Sequence, residues 1–316
     1  MMTPILLLIV GLSCLLLGAD WVVRGASSLA KRFHVSEIAI GLTVVALGTS
    51  APELIVNIMS SLNGHSDMAF GNVIGSNNFN ILVILGISSL IFPLEVQKNT
   101  TWKEIPYAIL AAVIVLILVN DQWFRPSVPN ILSRVDGLIM IGLFCLFLFY
   151  SWKISQTGIP EVSQLKTSSA GIAIGTILLG LGGLILGGNI VVKQAVIIAR
   201  QYGISEKVIA LTIVSAGTSL PELVTSAVAA FKKHPDIAIG NIIGSNIFNL
   251  LLVLGVSALI TPAGYRESFN IDFVLMILAS VLLFVFMFSF KRHKLDRVEG
   301  GILLTVYVVY TVFFLR

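Results

Sequence analysis

Ten long apolar stretches follow one another along the chain of 316 residues, separated by short polar breaks. Because about 20 predominantly apolar residues cross a bilayer as a helix, each stretch predicts one membrane span. The first stretch has no basic segment before it and is followed by further spans, so we interpret it as a transmembrane helix rather than a cleaved signal peptide. The pattern predicts an all-α integral membrane protein with ten transmembrane helices. They are residues 4–29, 36–62, 69–92, 104–120, 131–151, 170–199, 204–231, 236–260, 271–290 and 298–315.

Two segments of the chain repeat each other at a constant offset of 169 residues. Residues 36–93 and 205–262 align without a gap, with 30 identities in 58 positions. The first copy contains GTSAPEL and GNVIGSNNFN, and the second contains GTSLPEL and GNIIGSNIFN. Such a duplication predicts two structurally equivalent halves.

The longest polar break falls near the middle of the chain and sets the predicted boundaries. We expect a first five-helix repeat (1–151), a central cytoplasmic loop (152–169) and a second five-helix repeat (170–316). Since five is an odd number, the second repeat is expected to enter the membrane in the opposite orientation. The fold prediction is therefore ten transmembrane helices in two inverted five-helix repeats.

The composition supports a membrane protein and excludes several other classes. Hydrophobic residues make up 56% of the chain, charged residues only 11%, and the mean hydropathy is +0.97. An ordinary soluble domain carries about 25% charged residues, so a water-soluble globule is excluded. The formal charge of +4 is spread along the chain without a basic stripe, which argues against a nucleic-acid partner.

The distribution of basic residues between loops predicts the orientation in the membrane. Thirteen Lys and Arg residues lie in or next to the loops after the odd-numbered spans, against six on the opposite side. Cytoplasmic loops carry the excess of basic residues, so the odd-numbered loops are expected in the cytoplasm. We therefore expect a multi-pass protein of the cell (inner) membrane with both termini extracytoplasmic.

Glu53 and Glu222 are the central chemical feature of the sequence. Each lies in the middle of a span, and neither has a Lys or Arg in its own motif. A carboxylate at that depth is costly unless it is paired or hydrated. An inverted repeat brings equivalent positions together near the midplane, where two carboxylates repel each other unless a cation lies between them. The sequence therefore predicts a cation site.

Oxygen-bearing residues surround both glutamates at helical spacing. A Thr and a Ser precede each Glu by four and three residues, which places hydroxyl and carboxylate on one helix face. Pro52 and Pro221 interrupt the helix ladder and are expected to release backbone carbonyls near 46–48 and 215–217. Proline kinks and Ser or Thr at helix contacts are common in membrane proteins. It is the recurrence of the whole set in both halves that favours a binding site.

The predicted ligands are of one chemical type. Carboxylate, amide, hydroxyl and carbonyl oxygens are hard ligands of the kind that Ca2+ binds in sets of six to eight. Because no His or Cys joins the cluster, a zinc or copper site is not expected.

These paired motifs resemble the two α-repeats of the cation/calcium antiporter superfamily, and the chain is most similar to its compact prokaryotic sodium/calcium exchangers. The resemblance covers nearly the whole chain. It implies alternating access, with spans 1 and 6 sliding past a core of spans 2, 3, 7 and 8. It implies that the chain exports Ca2+ from the cytoplasm in exchange for Na+. Carried over by position, the ion ligands are Ala46, Thr49, Ser50, Glu53, Ser76, Asn80, Ser215, Thr218, Ser219, Glu222, Ser245 and Asn249.

Departures from other branches of that superfamily refine the expectation. In potassium-dependent relatives the position of Asn249 is Asp, so the amide here argues for potassium-independent exchange. Proton-coupled relatives carry a GNxxE motif, which the segments around Ser76 and Ser245 lack. Enzyme signatures such as HExxH and GxSxG are absent, so no catalytic residue and no enzyme activity are expected.

Three alternatives remain open from the sequence. In an H+/Ca2+ exchanger the two glutamates would alternate between proton and Ca2+. A passive cation channel is a second alternative, because inverted repeats also build pores. A membrane scaffold without transport is the third, and the unpaired carboxylates disfavour it. The expected partners are Ca2+, Na+ and the lipid bilayer, with no cofactor and no obligate protein partner.

Overall fold

The structure is a computed structural model that describes residues 2–155, 169–202, 215–289 and 292–314. The helices of the first half are α1 (Met2–Phe33), α2 (Glu37–Thr49), α3 (Ala51–Leu62), α4 (Ser66–Ile91), α5 (Thr100–Val119) and α6 (Arg134–Ser155). Those of the second half are α7 (Ala170–Gln201), α8 (Ser215–Gly217), α9 (Leu220–Phe231), α10 (Pro235–Ile260), α11 (Asn270–Phe286) and α12 (Arg297–Phe314).

The chain is an all-α membrane protein. In the described part, seven helices are long and apolar enough to cross a membrane, or eight if the bent pair α2–α3 counts as one span. The beginning of the predicted span 204–231 and most of the predicted loop 152–169 lie outside the described residues. The count of ten spans therefore stays a prediction.

The first helices of the two halves pack against each other over most of their length through glycine. A Cβ on Gly180 of α7 would lie 2.6 Å from the carbonyl oxygen of Gly18 in α1. A Cβ on Gly187 would lie 2.8 Å from the carbonyl oxygen of Gly11. Such backbone contact is possible only without side chains, as in other membrane helix pairs. The order of these contacts makes α1 and α7 antiparallel.

Helices α4 and α10 form the centre of the molecule. They are the most buried of the candidate spans. In their most apolar 18-residue segments, 72% and 83% of the segment is buried, against at most 39% for the others. Beyond the end of α4, Gln97 donates to Asp236 at the start of α10. Beyond the end of α10, Arg266 pairs with Asp67 at the start of α4, at 2.9 Å. The two central helices therefore run antiparallel.

Two short strand pairs join the halves at the ends of the helices. The strands are β1 (Leu94–Glu95), β2 (Ile131–Leu132), β3 (Ala263–Gly264) and β4 (Lys294–Leu295). β1 pairs antiparallel with β4, and β2 pairs antiparallel with β3. β1 and β2 belong to the first half and β3 and β4 to the second, so each half contributes one strand to each pair.

Candidate functional site: a buried cluster of oxygen atoms

The span formed by α2 and α3 is broken beside the first GTS motif. Ser50 lies between the two helices with a ψ of 6°, and the helices are bent by 46°. Pro52, the second residue of α3, has no N–H to donate and clashes with the preceding turn. The second copy repeats this geometry, with Ser219 at a ψ of 7° and Pro221 as the second residue of α9. The predicted interruption at both prolines is confirmed.

Each break places a glutamate in the first turn of the following helix. The unpaired N–H groups and the dipole of a helix N-terminus favour negative charge at that position. Glu53 and Glu222 are both completely buried. Of the ion pairs in the described part of the chain, none involves either carboxyl group. Within the described residues, the site thus holds two buried acidic groups with no cationic side chain paired to them.

Hydrogen bonds cross between the halves at these two breaks. Ser50 Oγ donates to Glu222 Oε1 at 2.9 Å, and Ser219 Oγ donates to Glu53 Oε1 at 3.2 Å. Ser76 of α4 also reaches Glu53 Oε1, at 3.4 Å. The structure therefore brings the two GTS motifs and the two glutamates into one site.

Two asparagines that were not among the predicted ligands also take part in hydrogen bonds between the halves. Thr49 Oγ1 donates to Asn241 Oδ1 at 2.9 Å, and Thr218 Oγ1 donates to Asn72 Oδ1 at 3.4 Å. The same asparagines donate Nδ2 to the backbone carbonyl of the glutamate in their own half, at 3.4 Å from Asn72 and 3.5 Å from Asn241. Their recurrence in both GN dipeptides was the signal that could have identified them.

Several oxygen atoms of the predicted ligands have no hydrogen-bond partner among the described residues. They are buried, and an unsatisfied buried acceptor costs about 1–3 kcal/mol. A bound cation would satisfy such a set, because its ligands are oxygen lone pairs. These atoms are Glu53 Oε2, Asn80 Oδ1, Glu222 Oε2, Ser245 Oγ and Asn249 Oδ1.

The central helices are irregular at the predicted ligands. A π-helical segment begins at Asn80 in α4, and the corresponding segment of α10 runs from Phe248 to Val253 and includes Asn249. Single π-helical turns occur often at functional sites. Asn80 and Asn249 are both buried, as are Ser76 and Ser245.

The backbone carbonyls of Ala46 and Ser215 were also predicted as ligands. The Ala46 carbonyl already accepts the Ser50 N–H at 3.0 Å, and the Thr49 hydroxyl, which donates to Asn241, lies 3.4 Å from it. A carbonyl oxygen has two lone pairs, so one remains for an ion. Ser215 begins α8, but its side chain lies outside the described part of the structure. Thr218 is half-buried, whereas Thr49 is completely buried.

Comparison with known proteins identifies the family of the chain. The sodium/calcium exchanger protein family matches residues 3–153 and 172–316. The putative antiporter CaxA of Alkalimonas amylolytica is 37% identical over 98% of each chain. The inner membrane protein YrbG of Escherichia coli (strain K12) is 36% identical over 87% of this chain and 86% of its own length.

A solved structure agrees with the sequence relatives. A structure of the sodium-calcium exchanger NCX_Mj soaked with Na+ and Sr2+ superposes with a TM-score of 0.85, at 31% identity over 99% of both chains. The resemblance found in the sequence motifs is thereby confirmed. The chain belongs to the sodium/calcium exchanger protein family.

Proposed function

We propose that the chain is a Na+/Ca2+ antiporter of the inner membrane that exports Ca2+ from the cytoplasm on the inward Na+ gradient. Its family and the likeness to NCX_Mj support exchange of these two ions by a transporter rather than an enzyme reaction. The similarity to YrbG supports the inner membrane as its location. The observation that carries the proposal is the pair of buried glutamates surrounded by buried oxygen atoms without partners.

The proposed ion ligands are side chains of both halves, together with backbone carbonyls. Six to eight oxygens complete a Ca2+ shell, and the two halves offer that number near the helix breaks. The hydroxyl groups that bind the carboxylates retain lone pairs with which they can also coordinate a cation. The set comprises Thr49, Ser50, Glu53, Ser76, Asn80, Thr218, Ser219, Glu222, Ser245 and Asn249, with the carbonyls of Ala46 and Ser215.

Charge balance explains how two different ions can share this site. Glu53 and Glu222 together supply about two negative charges, which one Ca2+ or two Na+ neutralise. The empty, doubly charged site resists passage across an apolar barrier, since burial of uncompensated charge is costly. Only a loaded site then changes the side to which it opens. Asn249 adds no third charge, so exchange proceeds without K+.

Alternating access fits the arrangement of the halves. The central helices are antiparallel, and the hydrogen bonds between the serines and the glutamates are reciprocal. Both features support two inverted five-helix repeats around one site near the midplane. We place the loops after the odd-numbered spans in the cytoplasm and both termini outside, following the excess of basic residues.

Ion flux in proteoliposomes tests the proposal. Vesicles loaded with Ca2+ and diluted into choline medium without Na+ or Ca2+ are expected to retain their Ca2+, and external Na+ is expected to release it. Addition of K+ should leave the Na+-driven rate unchanged. Rapid loss of Ca2+ in choline would identify a passive channel instead. Release by a proton gradient but not by Na+ would identify an H+/Ca2+ exchanger.

A further inference from the structure

Asn77 and Asn246 lie on the central helices, three residues before the proposed ligands Asn80 and Asn249. Asn77 Nδ2 donates to the backbone carbonyl of Asn246 at 3.2 Å, and Asn77 Oδ1 accepts from Asn249 Nδ2 at 3.1 Å. Asn246 makes the equivalent contacts, donating to the backbone carbonyl of Asn77 at 3.5 Å and accepting from Asn80 Nδ2 at 2.9 Å. All four amides are buried.

The backbone carbonyl fixes the orientation of each of these amides. A carbonyl oxygen can only accept, so Asn77 must direct its Nδ2 towards the carbonyl of Asn246. Its Oδ1 is then the atom that faces Asn249. Because this oxygen can only accept, Asn249 must donate its Nδ2. The Oδ1 of Asn249 is left on the other side of its amide, where no described residue forms a hydrogen bond with it. The same sequence of contacts leads from the carbonyl of Asn77 through Asn246 to Asn80 Oδ1.

We propose that Asn77 and Asn246 are positioning residues that determine which atom of the neighbouring amide is available to the ion. Asn77 orients Asn249 and Asn246 orients Asn80, so each half orients a ligand of the other half. This inference rests on the proposed function, because it takes Asn80 and Asn249 as ligands of the transported cation. An amide free to turn would present its NH2 group part of the time, and an NH2 group repels a cation.

Asn78 is a buried asparagine on the same helix whose hydrogen bond lies away from the two ligand amides. Its Nδ2 donates to the backbone carbonyl of Asp272 in α11 at 3.1 Å, and its Oδ1 has no partner among the described residues. Neither Asn80 nor Asn249 is among its hydrogen-bond partners in the described structure. Loss of its side chain therefore removes a buried amide and a helix contact without changing the orientation of a ligand. Asn78→Ala is the matched control.

Ca2+ binding to the purified protein distinguishes a positioning role from a structural one. The unfolding temperature is measured against Ca2+ concentration for the wild type, Asn77→Ala, Asn78→Ala, Asn249→Ala and the double variant Asn77→Ala/Asn249→Ala. A ligand that binds the folded state raises this temperature, so the assay needs no transport. Asn77→Ala is expected to raise the half-maximal Ca2+ concentration about tenfold, which is about 1.4 kcal/mol. Asn78→Ala should lower the unfolding temperature without Ca2+ but leave the half-maximal concentration within about twofold of wild type.

The double variant provides the decisive comparison. Because Asn77 acts through Asn249, its loss should add little to Asn249→Ala, and the two effects should be strongly non-additive. Additive effects, or equal shifts for Asn77→Ala and Asn78→Ala, would overturn the inference. If Asn77→Ala does not fold, Asn77→Ser and the independent pair Asn246→Ala and Asn80→Ala give the same comparison. Ca2+-dependent stabilisation without any flux would contradict the proposed function but leave the positioning role intact.

Discussion

Contacts at the centre of the molecule repeat between the halves in both position and chemistry, whereas polar contacts at its two ends repeat in position only. At the centre, the bond from Ser50 to Glu222 is matched by the bond from Ser219 to Glu53. At one end an ion pair joins Arg266 to Asp67, while at the other end the equivalent positions hold the neutral Gln97 and Asp236. The duplicated sequence therefore retained the chemistry of its contacts around the oxygen cluster but not at these end positions.

The ion pair between Asp20 and Lys232 is a second contact whose charges are not repeated at the equivalent positions. It links α1 to the residue that follows α9, and Arg24 also pairs with Asp20 at 2.8 Å. At the offset of 169 residues the equivalent positions are Asn189 and Asn63, which carry no charge. The alternating access proposed above would expose one site to both sides of the membrane, which favours equivalent ligands from the two halves at the centre.

Neutralising either glutamate is expected to have the largest effect. Glu53→Gln and Glu222→Gln each remove half of the site's charge, and each should lower Ca2+ exchange by at least about 100-fold. The measurement is Na+-dependent Ca2+ uptake into proteoliposomes, with size-exclusion chromatography to establish folding. Glu104→Gln is the control, because Glu104 is a buried carboxyl group of α5 that accepts a hydrogen bond from the Tyr150 hydroxyl. Near-normal uptake by one glutamine variant would break the equivalence of the halves.

Removing the crossing hydroxyl groups should have a smaller but equal effect. Ser50→Ala and Ser219→Ala each delete one hydrogen bond to a carboxylate of the other half, which corresponds to about a tenfold rise in the half-saturating Ca2+ concentration. Ser280→Ala, which loses a bond to its own helix in α11, should leave that concentration unchanged. A difference of more than about fivefold between the two site variants would show that the centre is functionally asymmetric.

The ends of the molecule should tolerate change best. The pair between Arg266 and Asp67 is exposed, with side-chain exposures of 72% and 45%. Exposed ion pairs contribute about 0–1 kcal/mol, so Arg266→Gln should change the free energy of unfolding by less than about 1 kcal/mol. The effect should shrink further at high salt. A salt-independent loss of several kcal/mol in thermal unfolding would contradict the view that the ends are free to diverge.

The position of the site could be predicted from the sequence because its signals are strong and local. Apolar length located the seven long apolar helices of the described part, and the missing N–H of Pro52 and Pro221 located the helix breaks. The duplication identified Glu53 and Glu222 as equivalent residues. Each of these inferences depends on the chemistry of one residue type or on a comparison within the chain.

The partners across the halves could not be predicted in the same way. Helical spacing places Asn72 and Asn77 on faces of α4, but it does not tell which residue of another helix each face meets. The choice of Asn241 and Asn246 as partners follows from the antiparallel packing of α4 and α10. The Ala46 carbonyl shows a second limit, because the Ser50 N–H still binds it although the nearby proline was expected to release it.

Reciprocal bonds of this kind are those that two identical subunits make across a two-fold axis. In a homodimer every substitution occurs twice, so neither copy can change without the other. Within one polypeptide Asn57 donates to the Ala69 carbonyl and to Ser257, whereas its equivalent Ser226 donates to the Ala238 carbonyl, at 3.4 Å. The covalent link between the halves therefore permits single-copy substitutions that leave the shared ion site unchanged.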